Sequence, residues 1–372
     1  VEPRIWALCF VYKITGDAKY AEKVWTLLEH MAKRDDWNPD HFLDTAIGCN
    51  AYAVAYDWLY HDWTPAQREF LEKTLLEKGL RYYNGGLHAG YDNRWCNRSA
   101  SDILSQGDGG NWPIICSSGG MTAAIALMDV YPELCASVAA DSLRMVEMSA
   151  LKGFADDGDW NEGAAYWAYM SSYMANMIGA LQTAAGTEYG YYYDVPGMKE
   201  TVHYYVSLMG SVSSFNFGDA DQNATFDINS IAWHANQWLH SGDTACGEEL
   251  FRLLHQIHVK QNRVGRMWSI LFMDSSCYKD PPTVLKRDYY SDKMGVGSFR
   301  TQWDFNRNTT YLGYVRGAKV VMSHQHYDHG SFVFDSMGKR WASDLGSDDY
   351  NISCYGTDAY RVRAEAHNTY VI

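Results

Sequence analysis

Ser331-Phe332-Val333-Phe334-Asp335-Ser336 and Arg340-Trp341-Ala342-Ser343-Asp344 stand on either side of Met337-Gly338-Lys339. Short runs rich in β-branched and aromatic side chains flank a glycine-containing break, which is the pattern of two short strands joined by a hairpin turn. Residues 294–301, 309–316 and 318–323, just upstream, are also short runs rich in Val, Phe, Tyr and Thr, divided by Gly or Asn. The period of two begins only after about residue 285. Before about residue 260 the period is that of a helix, and helices that precede strands in this way imply segregated α and β layers rather than a parallel α/β sheet.

The helical part reads as pairs. A first short helix carries Ile5, Leu8, Cys9 and Tyr12, and residues 18–33 follow it across Thr15-Gly16. Residues 42–60 pair with 65–83, and Thr64-Pro65-Ala66-Gln67 opens the second of these as a capping box with proline at the first helical position. Residues 113–130 pair with 133–152, 161–184 with 196–209, and 228–240 with 244–258. Five such hairpins, recurring every ~40–50 residues, suggest a helical array or toroid. The expected organisation is therefore α+β: an N-terminal (α/α) toroid over residues 1–285, then an antiparallel β-sandwich domain beginning at 286–372. The boundary falls near Asp280-Pro281-Pro282. The chain opens directly in a helical pattern at Val1 and stops at Ile372 in what reads as a strand, Asn368-Thr369-Tyr370-Val371-Ile372, so both ends look cut from something longer.

Composition narrows the function classes. With 372 residues, 47% hydrophobic and 20% charged, the chain has the make-up of a folded globular protein. Its 14 Trp, 28 Tyr and 13 Phe serve a core, and rings of this kind also stack on sugar faces. A net charge of −14 argues against non-specific nucleic-acid binding, and a polyanionic ligand would need local cationic groups. Eight cysteines without a C-x-x-C pair read as scattered small apolar residues. No run of about 18 apolar residues marks a membrane span.

Three stretches carry the candidate chemistry. His324-Gln325-His326-Tyr327-Asp328-His329-Gly330 places residues 324, 326 and 328 on one face if the segment is a strand. Two imidazoles and a carboxylate there could hold a metal, or could be shared between a metal and a substrate. Nitrogen and carboxylate ligands without thiolate suit Zn²⁺. Metallo-β-lactamase-like hydrolases share these letters, but they carry the motif early, between strands and helices, with further histidine ligands well downstream. Here a long helical region precedes it and only His367 follows. The second stretch, Asp156-Asp157-Gly158-Asp159-Trp160-Asn161-Glu162-Gly163, is an acidic turn entering a helix, where carboxylates suit the N-terminal dipole. Tyr166, Tyr169 and Tyr173 follow at helical spacing. The third, Gly107-Asp108-Gly109-Gly110-Asn111-Trp112-Pro113, sets an Asn and a Trp at the mouth of a helix.

Together these stretches resemble the heparinase II/III family of polysaccharide lyases, which is related to alginate lyases and glycuronan C5-epimerases. The resemblance rests on Glu162-Gly163-x-x-Tyr166, His324-x-His326-x-Asp328-x-Gly330-Ser331-Phe332, Asp344, His367-Asn368-Thr369, and the run from Trp37 to Ala46. It implies a toroid followed by a β-sandwich, and a catalytic set of Tyr166, His324 and Asn111, with Asn111 holding a uronate carboxylate. It also implies a structural Zn²⁺ on His326, Asp344 and His367, a uronic-acid polysaccharide as partner, and a periplasmic or secreted bacterial location. Groove candidates are His41, Arg94, Trp112, Glu162 and Tyr169, with Tyr350 or Tyr355 as a second tyrosine near the metal. Some members have His where this chain has Asn111.

The implied reaction is β-elimination: the proton at C5 of a uronate is removed and the sugar at C4 expelled. One aimed donor to the developing charge is typically worth about 3–4 kcal/mol. Tyr166 or His324 would be the base and Tyr166 the acid. A phenol with a pKa of about 10 would need a positive neighbour to act as a base. The rival readings are a C5-epimerase, a toroid glycoside hydrolase using Asp157 and Glu162, and a non-catalytic glycan binder.

Overall fold

The computed structural model describes residues 1–83, 109–222, 224, 226–261, 267–274, 283, 285–317, 324–350 and 359–371. Among the described residues are eleven α-helices and five β-strands. The helices are α1 (Glu2–Thr15), α2 (Ala18–Ala32), α3 (Phe42–Trp58), α4 (Pro65–Lys78), α5 (Asn111–Leu127), α6 (Pro132–Gly153), α7 (Gly163–Ala185), α8 (Thr201–Ser207), α9 (Ile228–His240), α10 (Thr244–Gln261) and α11 (Met267–Phe272). The strands are β1 (Tyr289–Tyr290), β2 (Val296–Arg300), β3 (Tyr311–Val315), β4 (Phe332–Ser336) and β5 (Lys339–Ala342). The fold is α+β, with helices first and one antiparallel sheet after them.

Local chemistry explains most helix ends. Thr64 accepts from the Gln67 backbone while the Gln67 side chain accepts from Thr64, so the capping box opens α4 as its letters require. The helix expected through residue 83 stops at Lys78 before Gly79, where a Cβ would lie 2.4 Å from Cys49 Sγ. The one expected over 196–209 is helical only from Thr201, because Pro196-Gly197 precedes it with Gly197 in the left-handed region (φ 77°). Helix α11 and strand β1 were not expected from the sequence pattern.

Two compact units are present. Val1–Asp108, Trp112–Ser149 and Tyr173–Tyr191 form one, and Gly109–Asn111, Ala150–Ser172 and Tyr192–Ile372 the other. This partition by compactness differs from one drawn at residue 285, since helices and sheet share the second unit. In the first unit, α3 is buried along most of its length. It meets α5 so closely that a Cβ on Gly119 would lie 2.5 Å from the Ala46 carbonyl oxygen. Trp6 donates to the Asn50 carbonyl and Tyr52 to that of Leu28, which ties α3 to both α1 and α2.

In the second unit the sheet is a meander in the order β1-β2-β3-β4-β5, every pair antiparallel. Met337 and Gly338 form the β4–β5 turn, both with positive φ (54° and 74°), as a two-residue type I′ hairpin demands. The buried face of the sheet carries Ser298, Arg300, Tyr311, Val315, Val333 and Asp335. Its polar members hold the chain that leaves α8. Arg300 donates to the Val206 and Ser207 carbonyls, Tyr311 to Ser207, and Arg340, paired with Asp335 at 2.6 Å, donates to Ser213 and Ser214. That chain continues into Phe215–Asp219, which reaches the candidate site.

Two expectations are corrected. Residues 324–330 are not a strand: His324 is left-handed (φ 62°), Gly330 likewise (φ 84°), and the intervening backbone is irregular. The side chains of 324, 326 and 328 therefore do not share a strand face. Nor is 368–371 a strand. The strand expected at 318–323 lies outside the described residues.

Candidate active site

The site lies within the second unit. Glu162 immediately precedes α7, and Tyr166 sits one turn into that helix. The Tyr166 ring stacks on the His324 imidazole with centroids 3.6 Å apart and planes at 10°. Its hydroxyl is 2.7 Å from that of Tyr350, which donates to Asp219 Oδ2 at 2.6 Å and lies 3.2 Å from His324 Nδ1. His324 Nδ1 is also 2.8 Å from Asp219 Oδ2, and its Nε2 is 3.8 Å from Glu162 Oε1. Asn111, at the first turn of α5, donates to Glu162 Oε2 from its backbone N (2.7 Å) and from Nδ2 (3.0 Å). A carboxylate thus sits at a helix N-terminus, where backbone N–H groups attract negative charge.

Electrostatics separates the roles open to these groups. Burial, followed by the charges of Asp219 and Glu162, outweighs the opposing Tyr350 hydrogen bond and lifts the Tyr166 pKa above that of an ordinary phenol. Burial and the hydrogen bond to Asp219 lift that of Tyr350 further. Both are neutral phenols near neutrality, donors rather than bases. Burial also raises the carboxyl pKa of Glu162, against the pull of Asn111 and His324.

His326, Asp344 and His367 gather beside this group. His367 Nδ1 is 2.6 Å from Asp344 Oδ2, His326 Nε2 is 2.7 Å from Asp219 Oδ1, and the two imidazoles are 5.3 Å apart. Asp344 Oδ1 accepts from the Gly346 backbone, and Asp328 accepts from the Gly218 backbone. Among the described residues, no group of three or more His, Cys, Asp or Glu stands already arranged around a metal position. The donor chemistry nevertheless fits one. His326 Nδ1 and His367 Nε2 are buried without a hydrogen-bond partner, while the other nitrogen of each ring rests on a carboxylate. His326, whose second nitrogen rests on a carboxylate outside the set, has the pattern of a metal-ligating histidine.

The structure therefore brings Asn111, Glu162, Tyr166, His324 and Tyr350 into one group, with His326, Asp344 and His367 adjoining. Asn111 itself is only 1% exposed, with one amide hydrogen on Glu162. Tyr169 is half-buried on α7. His41 and Trp112 belong to the first unit, where their rings meet edge to face at 4.9 Å. Arg94 and Tyr355 lie outside the described residues. Asp157 is exposed in its turn, whereas Glu162 is buried, so the two carboxyls of the hydrolase reading sit in unlike settings. Sequence reasoning missed Asp219, which touches His324, His326 and Tyr350. Phe217-Gly218-Asp219 offered only a glycine before an acid as a signal.

The fold is that of heparinase-like polysaccharide lyases. In particular, the chain is similar to the heparan sulfate lyase HepC from Pedobacter heparinus, at 15% identity and a TM-score of 0.56, over 99% of this chain and 52% of that one. It is similar to heparinase III at 13% identity and a TM-score of 0.60, over 91% of this chain and 49% of that one. It spans about half the length of these solved structures. No family profile and no curated protein sequence matches it. No helix among the described residues is long and apolar enough to cross a membrane.

Proposed function

We propose that the chain carries the catalytic site of a lyase that cleaves a uronic-acid polysaccharide of the glycosaminoglycan or alginate kind by β-elimination. The stacking of Tyr166 on His324, with the phenol hydroxyl turned into the Tyr350–Asp219 chain, is the observation that carries this reading. A neutral phenol and an imidazole held within one ring thickness form an acid–base pair suited to moving one proton in and one out. The similar structures are a heparan sulfate lyase and heparinase III, which supports the substrate class.

In this mechanism His324 Nε2 takes the C5 proton, the C5–H electrons form the C4=C5 bond, and the C4–O bond breaks. Tyr166, kept protonated by its surroundings, gives its proton to the departing oxygen. The proton left on His324 then restores Tyr166. The second Nδ2 hydrogen of Asn111, the one not on Glu162, is the donor assigned to the uronate carboxylate, at the floor of the site. His326, Asp344 and His367 would hold Zn²⁺, which would supply a structural clamp for the 324–330 segment rather than an acid for the substrate.

The test is a panel of heparan, chondroitin and alginate polysaccharides followed by ultraviolet absorbance, with Tyr166→Phe as control. An unsaturated-uronate chromophore from the wild type and none from the variant is expected. Cleavage without a chromophore would mean a hydrolase. Exchange of the C5 proton without cleavage would mean an epimerase. Either outcome removes the lyase assignment.

A further inference from the structure

The geometry points to Asp219 as the positioning residue of this site, one carboxylate that fixes the ring tautomers of His324 and His326 together. The inference rests on the lyase reading for its catalytic consequence, but its structural content stands apart from it. Asp219 Oδ2 is 2.8 Å from His324 Nδ1, and Oδ1 is 2.7 Å from His326 Nε2. Tyr350 donates to the same Oδ2 at 2.6 Å. A carboxylate only accepts, so both facing ring nitrogens carry hydrogens. His324 thereby carries a hydrogen on Nδ1, so Nε2, 3.8 Å from Glu162 Oε1, is the nitrogen available to a substrate, and His326 carries one on Nε2, so Nδ1, buried without a hydrogen-bond partner, is the one available to a metal. These are the two nitrogens that a base and a metal ligand need.

The backbone holds Asp219 in place for this task. Its N–H donates to the His324 carbonyl at 3.0 Å, and the N–H of Gly218 donates to Asp328 Oδ2 at 2.9 Å. Gly218 is left-handed (φ 62°), and a Cβ there would lie 2.7 Å from the His324 oxygen, so the two segments approach as closely as glycine permits. The Asp219 side chain is 2% exposed.

Asp219→Asn is the decisive change, because it keeps shape while replacing one acceptor with a donor. The amide can accept from one histidine but must donate to the other, which then has to present a lone pair and change tautomer. Three measurements on the full chain read this out: steady-state cleavage, zinc per chain by elemental analysis after zinc loading, and long-range proton–nitrogen correlation on ¹⁵N-histidine protein. The expected result is a fall in kcat of roughly 10²–10⁴-fold with KM nearly unchanged, an altered nitrogen pattern at His324 or His326, and an unchanged melting temperature. Wild-type nitrogen patterns in the variant would overturn the inference, as would kcat, KM and melting temperature failing together. If the wild type releases no unsaturated product from any uronan, the lyase reading fails, while the nitrogen pattern and zinc content still decide the role of Asp219.

Discussion

Two histidines of the second unit are built from almost the same parts and set in opposite surroundings. His234, on α9, has Nε2 3.0 Å from Ser171 Oγ and Nδ1 2.7 Å from the Tyr192 hydroxyl, and it stacks against Trp167 with planes at 25°. His324 has a phenol beside Nδ1 and an aromatic ring against its face, but it also has carboxylates near both nitrogens. Burial drives the His234 pKa down to about 3, so it stays neutral and acts as a strut between helices. His324 keeps 21% of its side chain exposed and meets charged groups on both edges. An imidazole among hydroxyls in the dark of a core is a structural group. The same ring, partly exposed and set between carboxylates, has the surroundings that the proposed base requires.

The largest expected effect separates the two by chemistry. His324→Gln should lower kcat on a uronan by roughly 10²–10⁴-fold, the range of a lost general base, with little change in the denaturation midpoint. His234→Ala should do the reverse. Removing the ring leaves a cavity and strands two buried hydroxyls, at a cost of about 2–4 kcal/mol in stability, while the folded fraction keeps its kcat. Urea denaturation followed by circular dichroism, run beside the cleavage assay, checks both. If the two variants lose activity and stability in the same proportion, the division of labour is wrong.

How far this division was legible in the sequence differs from residue to residue. The period change near 285 and the Met337-Gly338 turn announced the sheet, because a strand face and a type I′ turn are local properties. Tyr166, His324 and Asn111 were singled out through resemblance to a lyase family, and the structure groups them, whereas 324–330 is not a strand, since a left-handed histidine has no sequence signature. Asp219 was invisible for a related reason. It is 105 residues from His324, and only the long-range placement of the 206–219 chain on the polar face of the sheet brings it there. His234 looked like any histidine on a helix. Its partners come from α7 and from Tyr192, and no spacing links them.

Acid should sharpen the contrast. With its folded pKa near 3 against an unfolded value of about 6.5, His234 binds fewer protons folded than unfolded between those limits. His203, pushed by burial down to about 4, behaves alike. Their stabilising contribution is complete above about pH 6.5 and is lost as pH falls toward the folded values, by up to about 1.4 kcal/mol per pH unit for each ring. Buried carboxyls such as Glu162, whose pKa is raised, oppose this trend. The useful quantity is therefore the difference between the stability–pH curves of the wild type and His234→Gln. That difference should grow as pH rises from 4 to 6.5 and then level off. A difference that is flat with pH would mean that His234 titrates normally in the folded state.

The smallest effect tests the strut at its edge. Ser171 is fully buried and gives His234 its Nε2 partner, whereas Tyr192 holds Nδ1 from the other side. Ser171→Ala removes one hydrogen bond and almost no volume, so about 1 kcal/mol should be lost, with the ring still anchored through Tyr192. In a double-mutant cycle with His234→Ala, most of that loss should vanish once the ring is gone, because the hydroxyl no longer has an imidazole to satisfy. Additive losses would mean that Ser171 is stabilised by packing alone. The imidazole of α9 would then be held by one partner, and its likeness to His324 would be reduced to a shared ring and a shared phenol.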